Sequence, residues 1–262
     1  MQTLGTNTPT LMPDAFFEAL NYQGFGLLVG VVFLAGLVRG FAGFGTALIY
    51  VPVAAQVLPP IWVILTVIVF DIFGPAFIAP KAIKQAHLPD LGWLYAGTAV
   101  GLPLGLLALF AISPEMFRLT ASTLSLALLV CLAMGLRYQG QLTRPMIFGV
   151  GASGGFLGGA AGIPGPPIIL FYLASPHGAA VVRANTLLYL LGYDLIAFGV
   201  VMVAVGFEAV PLWMGLMLSV PNMLGNLCGA ALFRPKLEEV YRWVAYLVIG
   251  ASAISGLPIW GE

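Results

Sequence analysis

The chain has 262 residues, of which 60% are hydrophobic and 8% charged, with a mean hydropathy of +1.02 and a formal net charge of +0. A water-soluble domain carries roughly 25% charged residues, so these charges are too few to cover a surface for water. A neutral chain also excludes an electrostatic nucleic-acid binder, and the lipid bilayer becomes its first expected partner.

In chain order, residues 1–23 carry Asp14 and Glu18 but no Lys or Arg. The positive start of a secretory signal is therefore missing. Residues 13–20 read as a short interfacial helix opened by Pro13, or equally as a frayed terminus. A span needs about 20 apolar residues. Segments 61–80, 91–112, 117–136, 184–206, 211–233 and 240–259 each supply one. Two further apolar regions, 24–58 and 146–176, are too long for one span and are interrupted at Gly40–Gly45 and Gly158–Pro167. Each reads as a hairpin of two shorter helices, either re-entrant or fully crossing. Broken backbone at that depth must be buried in protein or line a wet cavity.

Basic residues orient the path. Lys81 and Lys84, Arg137 and Arg144, and Arg234 and Lys236 mark cytoplasmic loops, whereas Glu115 and Glu208 lie outside. The expected plan is an all-α polytopic membrane protein with an extracytoplasmic segment 1–23. Repeat 1 follows at 24–137, then a cytoplasmic linker at 138–145, then repeat 2 at 146–260. Each repeat is a Gly-broken hairpin plus three transmembrane helices. Three is odd, so the second repeat is inverted and both termini lie outside. The segment beginning at Gly36 matches the segment beginning at Gly155 at a constant offset of 119 residues. Thr66 aligns with Thr186, Gly101–Gly105 with Pro221–Gly225, and Phe117-Arg118 with Tyr241-Arg242. Repeated Gly-rich breaks of this kind mark transporters that alternate access around a mid-membrane site.

Arg39 is the only Lys or Arg before Lys81. A guanidinium at bilayer depth costs several kcal/mol and cannot shed its proton. Its planar fork suits an anion, and helix N-termini at the hairpin tip add donors. A pair with Asp71, or snorkelling, is the structural alternative. Gly40, Gly43, Gly45, Gly162 and Gly165 shape the two tips as candidate substrate contacts. Asn185, Thr186, Asn222 and Arg183 complete the candidate binding set, although Arg183 also reads as a topology charge and Asn222 as interhelical glue. Asp71 and Asp194, at roughly corresponding places in the two repeats, are candidate ion-coupling carboxylates. His87 and His177 are far apart and lack Cys or acidic neighbours at ligand spacing, so no metal site is expected. Cys131 and Cys228 read as small core residues. There is no phosphate loop and no nucleophile–base pair, so neither a catalytic residue nor a cofactor is expected.

Gly40-Phe41-Ala42-Gly43-Phe44-Gly45 with Pro52 downstream, followed by Gly158-Gly159-Ala160-Ala161-Gly162-Ile163-Pro164-Gly165-Pro166, resembles the paired glycine motifs of the TauE/SafE family. Arg183-Ala184-Asn185-Thr186 is similar to that family's basic-Ala-x-Thr element. The resemblance spans about residues 24–258. It implies a small permease of the bacterial inner membrane, for which the charge-derived path places both termini in the periplasm. It also implies a substrate among sulfite, organosulfonates such as sulfoacetate, and related carboxylated anions. Thr46-Ala47 stands where a longer glycine run is usual, and Ala160-Ala161 with Pro164 also departs from the family pattern. The expected function is a gradient-driven secondary transporter of small anions, not an enzyme. An anion channel and a non-transporting membrane scaffold or sensor are the alternatives. A homodimer is a further expectation, motivated by the small size.

Overall fold

The computed structural model describes residues 12–135, 143–172 and 177–258. Arg137 and the linker before Thr143 lie outside them. The described residues are helical throughout, without strands: α1 (Met12–Leu20), α2 (Phe25–Ala42), α3 (Thr46–Ala54), α4 (Pro60–Ile83), α5 (Leu88–Phe110), α6 (Pro114–Ala133), α7 (Arg144–Ala161), α8 (Gly165–Tyr172), α9 (Ala179–Val205), α10 (Ala209–Leu232) and α11 (Glu238–Gly256).

Six of these helices are long and apolar enough to cross a membrane: α2, α4, α5, α6, α9 and α10. The expected set differs at two places. The first arm of the repeat 1 hairpin, α2, has 18 residues and qualifies by itself. The expected last span, 240–259, forms α11 but does not qualify, because Glu239 and Arg242 dilute its apolar start. Large apolar side chains face outward, with Val203 89% and Phe77 78% exposed. Such a surface suits hydrocarbon and not water.

Both hairpins break at glycine for the same reason. Gly43 caps α2 with φ 82° and donates its N–H to the Arg39 carbonyl at 2.7 Å. Gly162 caps α7 with φ 70° and donates to the Gly158 carbonyl at 2.9 Å. A left-handed C-cap is open to glycine at little cost and strained for most other residues.

Glycine also lets helices touch by their backbones. A Cβ on Gly97, Gly101 or Gly105 of α5 would enter the main chain of α7. A Cβ on Gly225 or Gly229 of α10 would enter the main chain of α2. Contact positions rise together along both pairs, so α5 runs parallel to α7 and α10 parallel to α2. Each hairpin's long arm is thus clasped by a helix from the other half of the chain. The helix ends keep the spacing seen in the motifs: α2 and α7 begin and end 119 residues apart, and α3 and α8, like α4 and α9, begin 119 apart.

Lys81 and Lys84 close α4, Arg144 opens α7, and Arg234 with Lys236 follows α10. Contacts join these ends. The His87 N–H reaches Asn185 near the start of α9, and the Tyr246 hydroxyl of α11 donates to the Leu132 carbonyl near the end of α6. This face is the basic end of the bundle. Glu115 and Glu208 mark the opposite end.

Candidate functional site

The two hairpin tips meet around a cavity of about 60 Å³. Arg39, Gly43, Phe44, Gly45 and Thr46 line it from the first hairpin, and Gly162, Pro164 and Gly165 from the second. Asp71 of α4 and Tyr193 and Asp194 of α9 complete the polar wall.

Arg39 sits one turn before the end of α2 and is ion-paired with Asp71, its Nη1 meeting Oδ1. Both side chains are largely enclosed, at 14% and 13% exposure. The same Nη1 points at the Thr46 hydroxyl at 3.4 Å. Pro75 follows Asp71 by four residues, so the Asp71 carbonyl loses its usual helical donor and α4 is weakened there. Asp194 is buried, and its Oδ2 has no hydrogen-bond partner. The neighbouring Tyr193 hydroxyl is also buried and unpartnered. A buried polar atom left unpaired costs about 1–3 kcal/mol.

Helix ends add charge. Ile49 is the first α3 residue to bond back, to the Gly45 carbonyl at 3.0 Å. The N–H groups of Thr46, Ala47 and Leu48 thus lie at a free N-terminus, the positive end of the helix dipole. The second tip is poorer in donors. Pro166 and Pro167 occupy the first turn of α8 and have no N–H to offer.

Of the residues proposed from sequence, Arg39, Gly43, Gly45, Gly162, Gly165, Asp71 and Asp194 share this cavity. The others lie elsewhere. Gly40 is pressed against α10, where a Cβ would stand 2.8 Å from the Ala230 nitrogen. Asn222 donates from Nδ2 to the Phe70 carbonyl at 3.3 Å, tying α10 to α4. Asn185 accepts the His87 N–H at 2.8 Å, far from the tips. Thr186 follows it half-buried on α9, and Arg183 is exposed. Asp71 and Asp194 do not occupy matching positions: at the 119-residue spacing Asp71 falls on Leu190, and Asp194 lies one helical turn further along. The histidines, far apart in sequence, stand with ring centroids 4.9 Å apart and Asp90 between them.

Thr46 and Tyr193 are the polar wall residues that sequence reasoning missed. Thr46 could have been found as the first polar residue after the glycine break, where a helix start is expected. The hydroxyl of Tyr193 gives no signal in an apolar run.

A larger chamber of about 670 Å³ lies toward the basic end, lined by Phe41, Phe44, Leu132, Ile169, Phe233, Glu239, Tyr241, Arg242 and Tyr246 among others. Phe44 and Ile169 belong to both chambers.

Broken helices, a cavity walled by an Arg39–Asp71 ion pair and an apolar exterior fit a multi-pass membrane protein of the transporter class. The chain belongs to the sulfite exporter TauE/SafE family, whose model matches residues 28–256. Members of that family are membrane anion transporters and not enzymes. No curated protein and no solved structure matches the chain.

Proposed function

We propose that this protein is a secondary transporter that carries a small sulfur oxyanion, sulfite foremost, through the cavity between its hairpin tips. Organosulfonates and short carboxylated anions of similar head group are the next candidates. One observation carries the reading: Arg39 is enclosed at the cavity wall beside the free N-terminus of α3, held by an acid that an anion could displace. Size supports it. A water needs roughly 10–15 Å³ of such space, so the cavity holds about four to six water-sized bodies. A sulfur with three oxygens is of that scale.

In this mechanism the anion takes Arg39 from Asp71, and its oxygens collect the α3 N–H groups, the Thr46 hydroxyl and the Tyr193 hydroxyl. Asp71 or Asp194 then carries the coupling proton. The membrane potential, worth about 2.3 kcal/mol per charge per 100 mV, favours anion efflux unless enough protons travel with it. The common helix spacing and the exchanged helix pairs support two inverted repeats, 24–137 and 146–260, that alternate access. The basic end is cytoplasmic by its Lys and Arg content. That puts both termini on the periplasmic side of a bacterial inner membrane. A homodimer belongs to the same proposal and is tested by native mass.

The deciding experiment is thermal unfolding of the detergent-purified protein, wild type and Arg39→Ala, with sulfite, sulfoacetate, taurine, thiosulfate, sulfate and short carboxylates. A ligand of the native state raises stability by mass action. Stabilisation of wild type by one anion class, lost in Arg39→Ala, is the expected result. A well-folded wild type that responds to none of them overturns the proposal.

A further inference from the structure

We propose that His87, Asp90 and His177 form a binding site for a divalent transition cation, zinc being the model case. The site lies at the basic end of the bundle, apart from the cavity at the hairpin tips.

His87 precedes α5, Asp90 sits in the first turn of α5, and His177 lies just before α9. Asp90 is 6% exposed, and its two oxygens are divided between the rings. Oδ1 meets His87 Nδ1 at 2.9 Å, and Oδ2 meets His177 Nε2 at 3.0 Å. The three ligand atoms all lie within 4.8 Å of one another. Zinc bonds of about 2.0–2.2 Å in tetrahedral geometry set ligand atoms roughly 3.3–3.5 Å apart. Shifts of under two ångströms in the ligand atoms would bring them to that spacing.

The donor set selects the cation. Two imidazole nitrogens with one carboxylate suit zinc, nickel, copper or iron, whereas magnesium and calcium want oxygen alone. Three protein ligands leave a fourth position for water, as in open zinc sites. The simplest competing account makes Asp90 a helix-start carboxylate that accepts hydrogen bonds. That role needs one donor. Here two rings, the second from a segment 87 residues away, converge on the same carboxyl group. The supporting groups are also in place. Asn185 accepts the His87 N–H at 2.8 Å and donates to the His87 carbonyl at 3.4 Å. Both are main-chain groups of His87, so Asn185 fixes the backbone that carries this ring. A cation here would join α5 to the lead-in of α9 and hold the two segments at fixed separation.

The test uses the full-length protein in detergent, stripped with chelator and titrated with zinc chloride against a zinc indicator. One ion per chain is expected. His87→Gln and His177→Gln, at partly exposed positions, are each expected to weaken binding at least tenfold, while Cys131→Ser and Cys228→Ser leave it unchanged. X-ray absorption of the zinc-loaded wild type is expected to show nitrogen and oxygen neighbours with imidazole scattering, and this arm needs no variant to fold. Failure of wild type to retain zinc overturns the site. So do histidine variants that bind as wild type, or a sulfur neighbour in the spectrum.

Discussion

Arg39 on α2 and Asp71 on α4 are ion-paired at the wall of the cavity, and Asp194 on α9 lies close enough to interact with both charges. The only cation among the residues lining that cavity is thus already engaged. An arriving anion gains Arg39 only as Asp71 lets it go. Asp71→Asn keeps the shape and removes the competitor. We predict that it lowers thermal stability without ligand, because breaking an enclosed pair costs up to about 3–5 kcal/mol. The stabilisation given by a saturating anion should become larger than in wild type. A smaller ligand shift in Asp71→Asn would rule out competition for Arg39.

Tyr193 makes a prediction of mixed sign. Its hydroxyl is buried without a partner, and hydroxyl and ring edge together fill the space left by Gly158, whose added Cβ would come closest to the hydroxyl oxygen. Tyr193→Phe keeps the ring and removes an unsatisfied group worth about 1–3 kcal/mol. Ligand-free stability should hold or rise, and anion affinity should fall about threefold to tenfold, the net worth of one hydrogen bond. Calorimetric titration with the anion that stabilises wild type reads the second effect.

Asn185 separates structural from ligand roles. Its side chain bonds both main-chain groups of His87 at the start of α5. We predict that Asn185→Ala costs about 1–2 kcal/mol, as for a lost helix cap, and leaves the anion-induced shift at its wild-type size. Loss of anion binding in a folded Asn185→Ala protein would return this residue to the site.

The backbone contacts between exchanged helices can be weighed by one methyl group. Gly229→Ala drives a Cβ into α2 beside Gly40, 3.0 Å from its Cα. Gly30→Ala meets nothing within 4 Å on the same pair of helices. The first should destabilise by about 1–3 kcal/mol. The second should be neutral or stabilising by up to about 1 kcal/mol, as alanine favours helix. Unfolding in one detergent, with both variants side by side, gives the comparison.

The breaks at Gly43 and Gly162 could be read from sequence because a left-handed cap demands glycine and leaves that demand visible. Arg39 and Asp71 could be read because a charge stands out in an apolar run. What a glycine stripe cannot state is which helix approaches it. The same letters serve α5 against α7 and α10 against α2, and those pairings arise only in three dimensions. Asp71 and Asp194 looked equivalent, since a one-turn offset is invisible without helix boundaries. The pairing of His87 with Asp90 is legible in their three-residue spacing, against the expectation of no acidic neighbour, whereas the arrival of His177 had no local signal, as that ring comes from the other half of the chain.

Phe44 and Ile169 line both the small cavity and the larger chamber. Gly162 of the second tip abuts Val51 and Ile64, both fully buried. Under the proposed transport, these would be a thin door and a thick one. A bound ion could leave toward the basic end by rotation of a phenyl ring, a motion on the picosecond-to-nanosecond scale when unhindered. An exit past Gly162 would require α3, α4 and the second hairpin to part, a helix motion of microseconds or longer. Under the proposed transport, passage through the two doors would differ in tempo, with the slow one setting the turnover.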